Sequence, residues 1–121
     1  MAARTYRELV VWQRAMDLVV EVYRLTKEFP REELYGLTSQ IRRAAVSVPS
    51  NIAEGQGRGI GNEFCHHLRI AQGSLQETET QLLIAERLQF VASTQVSPAM
   101  ELSNEVGRLL RGLHQSVLTS N

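Results

Sequence analysis

A single cysteine, Cys65, leaves this chain of 121 residues no partner for an internal disulfide, and a solitary thiol fits a reducing compartment. Lysine is nearly missing, since twelve of the thirteen cationic residues are arginine. Thirteen acids balance them, so no overall charge draws the chain toward polyanions and nucleic-acid binding would need a local patch. Long apolar runs are absent too. The opening MAARTYRELVVWQRAMDL is broken by charges throughout, which makes it neither a secretory signal nor a membrane span. The expected location is the cytoplasm. No segment alternates apolar and polar residues in the manner of a strand.

What remains is a soluble-type composition, 43% apolar and 21% charged, in a length that supports one domain, 1–121, around one core. Four stretches carry helical periodicity. The first, over residues 9–29, repeats Val11, Trp12, Ala15, Met16, Val19, Val22, Tyr23 and Thr26 at helical spacing. Val10, Leu18, Val20 and Leu25 fall outside that stripe, so a second buried face is implied. Phe29-Pro30 ends the helix, because a residue before proline is pushed out of helical geometry.

The second helix is expected over 31–55, through Leu34, Leu37, Ile41, Ala44, Ala45 and Val48 into Pro49. Proline removes a backbone donor and presses on the carbonyl four residues back, which predicts a kink or a restart. Asn51 and Glu54 have capping-box spacing for such a restart, and Gly55 is the expected stop. The third helix, 61–90, aligns Phe64, Leu68, Ala71, Leu75, Thr78, Leu82, Ala85 and Leu88. Gly73 and Ser74 interrupt it with a small patch that Ala44, Ala45, Ser47 and Ala53 of the second helix are expected to approach. In the fourth, 97–118, Ser97 is the expected cap and Pro98 the first helical residue, with Leu102, Val106, Leu109, Leu110, Leu113 and Val117 facing inward. Short connections join antiparallel neighbours. The expectation is an all-α, up-down-up-down four-helix bundle with a second helix kinked at Pro49.

Chemistry is harder to find. Cys65, His66 and His67 are metal-ligand types, but adjacent helical residues diverge by about 100°, and Ile70 and Ala71 occupy the positions where a further ligand would stand. Glu63-x-x-His66 is one di-iron motif without a second copy. Gly55, Gly57, Gly59 and Gly61 follow no strand and precede no Lys-Ser/Thr, so they make a helix connection rather than a phosphate loop. No metal, cofactor or catalytic residue is assigned. Trp12 and Tyr35 recur among apolar neighbours at helical spacing and read as core or interface residues.

Arginine is unevenly spread. Residues 35–76 carry Arg42, Arg43, Arg58 and Arg69 against Glu54 and Glu63, whereas residues 77–121 carry an acidic excess. Those four arginines are the candidate nucleic-acid contacts, through bidentate guanidinium–phosphate pairs. The competing reading is that they form salt bridges between subunits or cover the bundle with their aliphatic stems.

The sequence also resembles the bacterial four-helix bundle family encoded in intervening sequences of 23S rRNA genes, which includes relatives of the accessory protein of diversity-generating retroelements. The likeness rests on Leu9-Val10-Val11-Trp12-Gln13, Phe29-Pro30 and Glu33-Leu34-Tyr35-Gly36-Leu37. It continues through Gln40-Ile41-Arg42-Arg43-Ala44-Ala45, Ser50-Asn51-Ile52-Ala53-Glu54-Gly55 and Gly73-Ser74-Leu75. Trp12, Pro49, Asn51, Glu54 and Gly55 thus stand as a structural signature. The resemblance implies a homopentamer and does not imply catalysis. For the retroelement relatives it also implies a surface that binds RNA or DNA and a partner reverse transcriptase, carried here onto Arg42, Arg43 and Arg58. An oligomeric RNA-binding module is one reading and a purely structural or protein-interaction assembly is the other.

Overall fold

A computed structural model describes residues 5–59 and 61–119. After a 3-10 turn at Tyr6–Glu8, four α-helices follow: α1 Val10–Thr26, α2 Leu37–Gly57, α3 Asn62–Arg87 and α4 Ser93–Thr119. Among the described residues there is no strand. Each helix packs on its neighbours in sequence and α4 returns to α1, while among the described residues the backbones of the diagonal pairs α1–α3 and α2–α4 stay more than 8 Å apart between Cα atoms. That ring of antiparallel neighbours is the expected up-down-up-down bundle. The core is built from apolar rungs of all four helices, with Leu18, Ile41, Ile52, Leu68, Leu82 and Leu110 among its fully buried side chains. Arg14 ties α1 to α4 through Glu105 at 3.1 Å. Its hydrogen bond with Asp17, and then Glu105, hold its guanidinium above the ordinary value, so it stays charged across the working pH range.

Several local expectations change. On α1 the inward residues are Val11, Ala15, Leu18, Val22, Leu25 and Thr26. Leu18 and Leu25 therefore enter the core, and Met16 and Tyr23 turn outward. α1 ends at Thr26, three residues before Phe29, and Arg31–Glu33 forms a separate 3-10 turn. From that turn the Glu33 carboxylate accepts the Leu37 N–H at 3.0 Å, so an anion supplies the cap where α2 begins.

The helix α2 runs uninterrupted through Pro49. Asn51 and Glu54 are therefore interior residues and form no capping box. Gly55 does not stop the helix, which continues to Gly57 with Arg58 as its C-cap. Its role is close packing: a Cβ there would stand 2.7 Å from the His67 Cβ and 3.2 Å from Phe64 Cδ1. At Gly73 the opposite holds, because a Cβ would meet nothing within 4 Å. The connection to α3 passes Gly59 and Gly61, both at positive φ, which is the conformation glycine adopts without strain. Ile60, inside the expected turn, lies outside the described residues.

The inward face of α3 matches its periodicity from Phe64 to Ala85, but Leu88 lies beyond the helix and is 55% exposed. Gln89 takes φ 64 and the Phe90 N–H reaches back to the Ala85 carbonyl at 3.0 Å, a Schellman closure with glutamine where glycine is usual. α4 begins at Ser93, four residues ahead of Ser97, because the Gln95 side chain accepts the Ala92 N–H at 2.8 Å. Pro98 is an interior residue of α4.

Candidate interaction surface on the first two helices

The expected second buried face of α1 does not form as such, since Leu18 and Leu25 enter the core while Val10 and Val20 are exposed. Met16 and Tyr23 are exposed along grooves that reach Val46 of α2, with Leu34 and Tyr35 of the connecting segment bordering one of them. Tyr35 is 93% exposed, so it is no core residue. Two shallow grooves run along this face and share Val46. One, of about 560 Å³, is bounded by Tyr23, Leu34, Tyr35 and Arg42. The other lies over Trp12, Val19 and Pro49. Trp12 is half-buried there, with Tyr6 edge-on at 5.2 Å between ring centroids. A contiguous apolar strip of this kind is a usual mark of an interaction site on an otherwise polar surface.

Arg42 belongs to this face and is already engaged. Its guanidinium carbon lies 4.5 Å from the centroid of the Tyr23 ring, and its Nε donates to Thr26 Oγ1 at 2.8 Å. The hydroxyl of Thr26 in turn donates to the Tyr23 carbonyl at 3.2 Å. Cation–π contact and a charged hydrogen bond thus fasten α2 to the end of α1. Arg58 is engaged as well, between Glu54 at 3.1 Å and Glu63 at 3.7 Å. Arg43 and Arg69 are exposed and make no ion pair among the described residues. The four candidate arginines therefore divide into two that hold the fold and two that face solvent. Tyr23 and Thr26 were not singled out as arginine partners by the sequence reading.

A polar seam joins α2 to α3. His67 Nδ1 lies 3.0 Å from Asn51 Oδ1, while Asn51 Nδ2 donates to the Ser47 carbonyl at 2.9 Å and to its hydroxyl at 3.0 Å. With its amide nitrogen so used, Asn51 presents oxygen to the imidazole, and His67 donates from Nδ1. Ser74 Oγ donates to Ser47 Oγ at 2.8 Å. The expected approach of small residues thus occurs at Ser47–Ser74, while Gly55, outside that expectation, packs closely against His67 and Phe64. Cys65 is buried, His66 is exposed, and the two imidazole rings meet edge-on at 5.6 Å. Among the described residues no group of three or more His, Cys, Asp or Glu could hold a metal ion.

The sequence profile of the 23S rRNA-intervening sequence protein family matches residues 7–112, which takes in α1 through α3 and most of α4. The chain belongs to this family. Among solved structures, the bundle of this 23S rRNA-intervening sequence protein is similar to the crystal structure of a protein with unknown function from the S23 ribosomal protein family of Bacteroides thetaiotaomicron VPI-5482. The two superpose with a TM-score of 0.80 at 25% identity, over 87% of this chain and 98% of the other. No curated protein matches this sequence. Among the described residues, no helix is long and apolar enough to cross a membrane.

Proposed function

We propose that this 23S rRNA-intervening sequence protein is a non-enzymatic module that self-associates, as a homo-oligomer of pentameric order, through the α1–α2 face. The observation that carries this reading is the uncovered strip from Met16 and Val20 across Tyr23 and Val46 to Tyr35. Burying it removes apolar surface from water at about 25 cal/mol per Å². The Arg42–Tyr23 contact holds the strip rigid before association, which lowers the ordering cost of binding. Sedimentation velocity tests it. The wild type should sediment as an oligomer, and a Val20→Asp, Tyr35→Asp variant as a folded monomer. An oligomer that persists in that variant sinks the assignment of the face.

A second reading, binding of RNA or a nucleoprotein, is supported by Arg43 and Arg69, which make no ion pair among the described residues. Repetition around an oligomer turns such weak contacts into avidity when their geometry allows simultaneous contact. Filter binding to a structured RNA at low salt should weaken in an Arg43→Ala, Arg69→Ala variant with the fold intact. Arg42→Ala is not a clean probe, because that side chain holds α2 on α1.

A further inference from the structure

On the far side of the ring from the α1–α2 face, a groove of about 400 Å³ opens between α3 and α4. Its α4 wall carries Arg108 and Arg111, neither of which makes an ion pair among the described residues. The Arg111 guanidinium does not simply project outward. Its Nη1 lies 3.4 Å from where a Cβ on Gly107 would stand, with Leu75 Cδ2 3.5 Å from the same point. The guanidinium thus lies within van der Waals reach of the helix backbone at buried Gly107.

One turn earlier, Ser103 is 0% exposed and contributes to the lining, and its Oγ has no hydrogen-bond partner. A helical serine ordinarily bonds back to the carbonyl four residues before it, so an unpartnered hydroxyl under a groove calls for an explanation. Across from it, α3 supplies Gln72, Gln76 and Glu79. Among the described residues Glu79 also makes no ion pair, although two arginines line the same groove.

We infer that this groove is a binding site for a small hydroxylated oxyanion, a sugar or polyol that carries one phosphate or carboxylate. The arginine pair receives the oxyanion in the planar, forked geometry that suits carboxylate and phosphate alike. Gln72, Gln76 and Glu79 offer the donors and acceptors that sugar hydroxyls pair with. Two guanidinium groups against one carboxylate leave a single positive surplus, which favours an anion over the neutral sugar. The lining contains no aromatic ring to stack a base. Arg108 and Arg111 belong to the stretch of acidic excess, which is why charge counting along the sequence passed over them.

The test is calorimetric titration of the full chain with ribose 5-phosphate, glucose 6-phosphate and glucuronate, against glucose and inorganic phosphate. At least one sugar anion should bind saturably with a Kd of about 1 mM or tighter, with glucose and inorganic phosphate about tenfold weaker or more. Binding confined to the sugar phosphates identifies a phosphate source, and binding confined to glucuronate a carboxylate source. An Arg108→Gln, Arg111→Gln variant should lose about tenfold or more in affinity while its circular dichroism is unchanged, and Gln76→Ala should weaken the sugar anion but not inorganic phosphate. The inference is overturned if no sugar anion saturates, if inorganic phosphate binds as tightly as the sugar phosphates, or if the double arginine variant binds undiminished.

Discussion

Two glycine-to-alanine substitutions in helices of the same bundle should move stability in opposite directions. At Gly73 a Cβ meets nothing within 4 Å, so alanine contributes only its better helix propensity, about 0.8–1 kcal/mol. For a domain of this size that corresponds to a Tm increase of about 3–4 °C. At Gly55 the same propensity gain is opposed by a Cβ placed 2.7 Å from the His67 Cβ and 3.2 Å from Phe64 Cδ1. The nearest atom is the root of a side chain rather than its flexible end, so α2 and α3 must separate locally. Overpacking of this kind costs about 1–3 kcal/mol, which leaves Gly55→Ala neutral to about 2 kcal/mol less stable than the wild type and always below Gly73→Ala. Urea unfolding followed by circular dichroism measures both midpoints, at one protein concentration because the proposed self-association would also shift them. The m-value should be unchanged. If Gly55→Ala gains as much as Gly73→Ala, the close approach of the two helices is wrong.

Three further outcomes follow from hydrogen bonds and backbone geometry. Arg42→Ala should lose about 1–2 kcal/mol of stability from the hydrogen bond to Thr26 and the Tyr23 contact, and a double-mutant cycle with Thr26→Val should show coupling between the two positions; additivity would refute the link. Ser47→Ala removes the acceptor of Ser74 and one acceptor of Asn51 and should cost about 1–2 kcal/mol in urea unfolding, with no loss taken as evidence that water replaces the seam. Gln89→Gly should raise the stability by about 0.5–1 kcal/mol, because φ 64 costs glutamine what it does not cost glycine; a lower urea midpoint would count against the left-handed turn after α3.

The sequence revealed the inward face of α3 almost completely because Phe64, Leu68, Ala71, Leu75, Thr78, Leu82 and Ala85 recur at helical spacing and all are buried, although Ile70, Leu83 and Ile84 lie off that face. α1 was harder for the opposite reason. Apolar residues cover nearly two faces, so periodicity establishes a helix without saying whether Leu18 or Met16 points inward, and the packing of α2 and α4 makes that choice. At α4 the Ser97-Pro98 signal is a sound start for an isolated helix. Gln95 overrides it by capping Ala92 from within the chain. The arginines show where local pattern ends. Arg42 meets Thr26 across sixteen residues of sequence, a pairing that no helical spacing encodes, whereas Arg58 finds Glu54 one turn away. Gly107 and Ser103 carried no signal at all, since a small residue inside a helix reads the same whether it fills space or leaves a groove.

The ring of helix contacts has a consequence for the order in which the chain can assemble. α2 and α3 share the largest interface, lie next to one another in sequence, and are joined by only the short segment 58–61. Their association closes a small loop, which is entropically cheap and fast. The α1–α4 contact spans almost the whole chain and can form only after its ends are brought together. Ser47, Asn51, His67 and Ser74 lie inside the early hairpin, so they help set its register before the bundle closes. Native-state hydrogen exchange should then be slowest in the α2–α3 hairpin and faster in α1 and α4, whose mutual contact opens first.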